Sequence, residues 1–160
     1  MKIRAFQSAR PLALLAASLV ALGVAPLAIA ADTSAAAEGC AQQFEVAQKL
    51  DMESFRDFDA DTFRAGHDDR AVTVFASGAV RYGIDAIMTA LASHFANRNA
   101  VWSWTELYRV VDGCRSAYIL YDTNYDIPSI GFHQHALTGV TYSHVGNAWL
   151  SIADQGTLLK

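Results

Sequence analysis

The spacing of apolar and polar positions changes character along the chain, and the change divides it. Large apolar residues recur at near-helical spacing at Phe44, Ala47, Leu50 and Met52, with Gln-rich polar positions on the other face. Phe55, Phe58 and Phe63 continue the apolar side. Asp59-Ala60-Asp61 breaks the segment into two helices, with Asp59 or Asp61 as a cap and Gly66 at the far end. The period then drops to that of a strand. Ala71 to Phe75 is one short strand, Ser77-Gly78 a turn, and Ala79 to Tyr82 a second. Helical spacing returns after Gly83, with Ile84, Ile87, Met88, Leu91 and Phe95 on one stripe, and lapses near Asn97-Arg98-Asn99.

Everything after that reads as sheet. Trp102 to Val111, Arg115 to Asp126, Phe132 to His144 and Ala148 to Gln155 are four strands. Asp112-Gly113 and Gly146-Asn147 supply hairpin turns, and residues 127–131 a loop. Helices first and an antiparallel meander afterwards predict an α+β domain, with N-terminal helices packed on an antiparallel sheet.

Side chains alternate faces along a strand, so the turns propose a register. Centring the first hairpin on Asp112-Gly113 sets Tyr108 against Ala117, Glu106 against Ile119 and Trp104 against Tyr121. Centring the next connection on Ser129 sets Tyr125 against His133 and Thr123 against His135. Centring the last on Gly146-Asn147 sets Gly139 against Asp154. One face then collects Trp102, Trp104, Glu106, Tyr108, Tyr121, Tyr125, His133, His135 and Asp154. It is aromatic with a few titratable groups, which is the composition of a ligand pocket. The other face collects Thr105, Arg109, Asp122, Gln134 and Tyr142 and reads as solvent or dimer surface. A slip of one residue would exchange the two.

Asp154 follows the apolar run Leu150 to Ala153, apart from Ser151. A carboxylate in an apolar site has a raised pKa and can act as acid or base; alternatively, Asp154 caps the turn at Gln155-Gly156-Thr157. His133 and His135 flank Gln134 and point to one side, as ligand contacts, acid–base groups or edge residues; a metal would need a third ligand, and none is evident. Trp104 and Tyr121 can stack on a cyclic ligand or pack the core, and Glu106 needs a partner if buried. His67-Asp68-Asp69 reads as turn contacts, with a metal role as the alternative. The sequence has no nucleophile elbow, phosphate loop or dinucleotide fingerprint.

Composition narrows the setting. Lys2, Arg4 and Arg10 precede an uncharged apolar run, and Ala28-Ile29-Ala30 places small residues at a cleavage site. Residues 1–30 are therefore expected to be a secretory signal peptide, and 31–39 a flexible leader. Cleavage leaves nine Lys and Arg against sixteen Asp and Glu, a formal charge of −7. That argues against nucleic acid and anionic membranes and leaves small molecules as partners. No second apolar stretch is long enough for stable membrane insertion. Two cysteines remain, Cys40 and Cys114; in an oxidising periplasmic or secreted setting an even count suggests one disulfide.

The order of elements resembles the nuclear transport factor 2-like superfamily, which includes SnoaL-like cyclases and ketosteroid isomerases. The likeness is carried by Val72-Thr73-Val74-Phe75-Ala76-Ser77-Gly78 and then Gly83-Ile84-Asp85-Ala86-Ile87, by Val111-Asp112-Gly113, and by Gly146-Asn147-Ala148-Trp149-Leu150. It covers residues 40–157. The resemblance implies a curved sheet, a cone with a pocket between its concave face and the helices, and a homodimer. The superfamily hosts several reactions and non-catalytic members, so activity must be argued from the site. Two readings stay open. One is a cofactor-free isomerase, cyclase or dehydratase acting on a small, largely apolar molecule, with Asp154 carrying the proton, His133 or His135 assisting and Tyr125 donating a hydrogen bond. The other is a non-catalytic ligand-binding or dimeric assembly module.

Overall fold

The computed structural model describes residues 27–160 and, for side chains, residues from 37 onwards. The stretch 1–30, expected to be a signal peptide, lies outside the described residues except for its last four, which open α1 (Leu27–Arg56). The same helix runs through 31–39, the stretch read as a leader. Among the described residues no helix is long and apolar enough to cross a membrane.

The buried stripe of α1 is Cys40, Phe44, Gln48, Asp51, Met52 and Ser54, spaced three and four apart along one face. Leu50 was expected there and is 50 % exposed. It lies about 120° round the helix from Phe44, whereas Asp51 lies almost directly beneath Phe44. α2 (Ala60–Ala65) is capped by Asp59, whose carboxylate accepts from the Thr62 backbone N–H at 3.1 Å. Then come β1 (His67–Val74), β2 (Val80–Tyr82) and α3 (Ile84–Asn97), and after them β3 (Val101–Asp112), β4 (Ser116–Ile127), a 3-10 turn at Pro128–Ile130, β5 (Phe132–Val145) and β6 (Ala148–Leu158).

The six strands form one sheet in the order β2-β1-β6-β5-β4-β3. The last four are the expected meander. β1 joins it parallel to β6, so the sheet is mixed rather than wholly antiparallel. β1 also begins four residues earlier than expected: His67, read as a turn residue, is a buried strand residue paired with Ser151.

The register departs from the sequence reading at three places. The first hairpin closes at Asp112↔Ser116 through Gly113, Cys114 and Arg115, a wider turn than Asp112-Gly113 alone. A bulge at Leu107 then restores the expected parity, so Trp102, Trp104 and Glu106 pair with Tyr125, Thr123 and Tyr121, while Tyr108 changes face and Arg109 takes its place. The β4–β5 connection closes at Ile127↔Phe132 around four residues, with Gly131 at φ 64°. That moves the pairing by one residue from the reading centred on Ser129 and exchanges the faces of β5. Gln134, Ala136, Thr138, Val140 and Tyr142 face the helices; His133, His135 and Gly139 do not. Finally, the β5–β6 register shifts between Thr141 and Tyr142, with Ile152 as the extra residue, and this sets Asp154 opposite Val140.

Two apolar clusters result. One packs Phe44 and Met52 of α1 on Ile119, Tyr121, Val140, Tyr142 and Trp149. The other gathers Phe63, Ala71, Ile84 and Ile87, with Phe55, Leu91 and Phe95 against it. Cys40 and Cys114 form a disulfide with 5.3 Å between their Cα atoms, tying α1 to the β3–β4 turn.

Candidate functional site

Between the two clusters the concave face of the sheet and the helices leave a cavity of about 260 Å³. Its walls are mostly apolar: Phe55, Phe63, Ile87, Leu91, Trp102 and Val140. β5 runs along it, with Gln134 beside Tyr125 at one end and Val140 beside Asp154 at the other. Six strand residues separate these ends, about 20 Å. The Tyr125 end reaches the surface, where Phe132 is exposed.

The deep end holds two carboxyl groups. Asp51 is buried on the core face of α1. The Tyr142 hydroxyl donates to its Oδ2 at 2.6 Å, and Nε2 of His67 lies 3.9 Å from its Oδ1. His67 is oriented by donating from Nδ1 to the Phe63 carbonyl at 2.7 Å. Burial and the charge of Asp51 push the Tyr142 hydroxyl well above the usual phenol range, which keeps it a donor. Asp154 differs. It lines the cavity, is partly buried there, and its carboxyl group has no hydrogen bond or ion pair among the described residues. Burial, and secondarily the charge of Asp51, raise its pKa to about 7. Near neutral pH it is therefore poised between acid and base.

The outer end holds a relay. His94, on α3, stacks on Phe55 with ring centroids 3.9 Å apart. Its Nε2 donates to the Phe55 carbonyl at 2.8 Å. Desolvation lowers its pKa, with the Phe55 hydrogen bond opposing, so the neutral ring accepts at Nδ1 from the Tyr125 hydroxyl at 3.0 Å. Burial raises the Tyr125 hydroxyl in turn. Among the described residues no three His, Cys, Asp or Glu side chains gather in a metal-binding group.

No protein-family model matches the sequence, and none of the curated proteins compared with it is similar. Solved structures do match. A nuclear transport factor 2-like protein of unknown function from Shewanella oneidensis superposes with a TM-score of 0.62 at 12 % identity, over 73 % of this chain and 98 % of that one. A Streptomyces avermitilis protein of the same type, provisionally named a dehydratase, gives 0.61 at 14 % identity, over 76 % and 97 %. A Thiobacillus denitrificans domain, provisionally named a calcium/calmodulin-dependent protein kinase type II association domain, gives 0.62 at 14 % identity, over 72 % and 94 %. The chain has the nuclear transport factor 2-like fold.

Within that fold the expected site residues scatter. Asp154 and Tyr125 line the cavity, at opposite ends. His133 and His135 do not: the β5 register puts them on the outer face, where His133 pairs with Asp126 and His135 with Asp122 at 2.8 Å. Tyr121 faces inward but is sealed in the first cluster, its hydroxyl donating to Gln48 at 2.7 Å. Trp104 packs against the same cluster with the Arg56 guanidinium over its ring. Glu106 is held by Arg109 at 2.7 Å rather than by a ligand. Gly139, expected to leave room opposite Asp154, lies on the other face, where the Tyr118 hydroxyl fills its space.

Three cavity groups escaped the sequence reading: Asp51, His67 and His94. Two left a signal. Asp51 lies seven residues after Phe44, and His94 seven after Ile87, each on an apolar helical stripe where a polar residue is out of pattern. His67 left none, because its burial depends on the parallel β1–β6 pairing.

Proposed function

We propose that this is an exported protein whose cavity takes a small, largely apolar molecule and that Asp154 moves a proton on it, without a cofactor, in an isomerase, cyclase or dehydratase reaction. The observation that carries the reading is the unpartnered carboxyl group of Asp154 in an apolar cavity, with its pKa raised to about 7. A buried carboxyl group without a partner is costly to the fold, and such groups concentrate where chemistry uses them. Asp51, braced by Tyr142 and near His67, raises the basicity of Asp154. The Tyr125–His94 pair orients the ligand's outer end. The roles first given to His133 and His135 pass to His67 and His94. The signal peptide, the mature start near residue 31 and the disulfide agree with an oxidising compartment.

The test is hydrogen exchange. The mature protein is purified from its own host, its ligand identified by native mass spectrometry before and after denaturation, and that ligand incubated with protein in D2O. Deuterium entering carbon-bound positions with the native protein, and not with Asp154→Asn, is the expected result. A ligand that binds in the cavity and exchanges with neither protein refutes the catalytic part.

One observation favours the non-catalytic alternative of a dimeric assembly module. Leu107, Tyr108 and Val110 of β3 are exposed together beside the Leu107 bulge, and an apolar strand at a sheet edge invites a partner. The provisional association-domain likeness fits that reading. Sedimentation of the native chain against Tyr108→Glu, with the hydrogen-exchange assay run on both, separates the two: an assembly module dissociates and never exchanges ligand hydrogen, whereas an enzyme exchanges it.

A further inference from the structure

We propose that the cavity's ligand is a small organic cation, a protonated amine on an apolar, ring-sized body, anchored at the Asp154 carboxylate. The proposal rests on the cavity being a ligand site, which the catalytic and binding readings share, and adds the chemical class.

Charge argues first. Two carboxyl groups line the deep end, and among the described residues no lysine or arginine lines the cavity. The groups facing Asp154 are Asp51 from α1, Tyr142 from β5, and His67 and Thr73 from β1. Asp51 already has the Tyr142 hydroxyl and the nearby His67; Asp154 has no partner. An anionic ligand would meet two carboxyl groups and no counter-charge, at a cost that burial magnifies. A neutral ligand can hydrogen-bond the protonated carboxyl group but gives the ionised form of Asp154 no counter-charge. An ammonium group supplies both the counter-charge and up to three N–H donors, and charge-assisted bonds of that kind are the strong ones.

The walls and the whole molecule agree. Phe55, Phe63 and Trp102 give the apolar body its surface, and aromatic faces attract cations. The chain carries sixteen acidic residues against twelve basic ones, which draws cations towards it. The same carboxylate can take an N–H proton from the ammonium, breaking the N–H bond and forming an O–H bond, so anchor and proton carrier are one group.

The experiment titrates the mature protein, in separate runs, with 2-phenylethylamine, 2-phenylethanol and phenylacetate, following cavity resonances by NMR. We expect the amine to bind at least tenfold more tightly than the alcohol, and phenylacetate not to bind. The amine stays protonated from about pH 6 to 8, while Asp154 with its pKa near 7 goes from about one-tenth to nine-tenths ionised, so the amine's affinity should rise about tenfold. In Asp154→Asn the preference should vanish and the alcohol's affinity stay the same, which also shows that the cavity is intact. If that variant does not fold, the ranking of the three probes and the pH dependence of the native protein decide. An alcohol or carboxylate bound in the cavity as tightly as the amine overturns the inference and leaves the cavity reading standing. Absence of any cavity shift with all three probes overturns both.

Discussion

Replacing Asp154 by asparagine keeps the shape of the side chain and removes a buried ionisation, so its effect on stability depends on pH. In the folded protein the Asp154 pKa is about 7, whereas a free aspartate lies near 3.9. A raised carboxyl pKa means that the folded state holds its proton more tightly than the unfolded state. The stability this contributes is fully present below about pH 4 and is lost as pH rises through 7. Three pKa units at about 1.4 kcal/mol each make the full loss about 4 kcal/mol, of which about 2.5 kcal/mol falls between pH 5 and 8. Asparagine does not titrate. No ion pair or hydrogen bond of Asp154 is lost with it among the described residues. The variant should therefore gain about 2.5 kcal/mol on the native protein between pH 5 and 8, and be the more stable of the two at the upper end. Urea unfolding of both proteins across that range reads the difference directly. Titrating groups other than Asp51 and Tyr142, which feel the Asp154 charge, are common to both and cancel. Parallel stability curves would refute the reasoning, because they would mean that Asp154 ionises as freely in the folded chain as in the unfolded one. A gain in stability with a loss of ligand handling is what a functional carboxylate predicts.

Other consequences can be checked alongside. The disulfide joins residues 74 apart in sequence, and the chain-entropy estimate puts its contribution at about 4 kcal/mol; reduction should lower the urea midpoint accordingly, and an unchanged midpoint would remove the bridge from the stability argument. His94 should titrate below the ordinary imidazole value in NMR, because burial disfavours its charged form. Its contribution to stability is then present above the free-histidine range and lost as pH falls from there through the lowered folded value; a His94 pKa above that range would contradict the relay through Tyr125. A Cβ at Gly156 would stand 2.9 Å from the Ala76 backbone nitrogen, and backbone cannot swing away, so Gly156→Ala should destabilise by about 1–3 kcal/mol. At Gly139 the obstacle is the mobile tip of Tyr118, and Gly139→Ala should do less damage under the same urea assay.

What the amino-acid order determined by itself was the list of elements. The stripe through Phe44 and Met52, the Asp59 cap, the short hairpin before Gly83 and the four long strands are local patterns, each set by spacing and turn chemistry within a dozen residues. The mutual reach of Cys40 and Cys114 was legible once α1 and the β3–β4 turn were in place. The site was not, because it depends on which face each strand presents. That parity is decided by single extra residues: the bulges at Leu107 and Ile152, and a four-residue connection after Ile127. The Ile127 connection turned His133 and His135 outward. At Asp154 the one-residue change in β5 and the Ile152 bulge offset each other, so a carboxylate placed by a faulty register still faces the helices. Asp51 and His94 left only a polar break in an apolar stripe, and His67 no signal at all, so their roles were decided by the tertiary structure. Asp51 and His94 are satisfied by distant partners, Tyr142 and Tyr125, which they meet only after the helices have closed over the sheet, and His67 is buried by the parallel β1–β6 pairing.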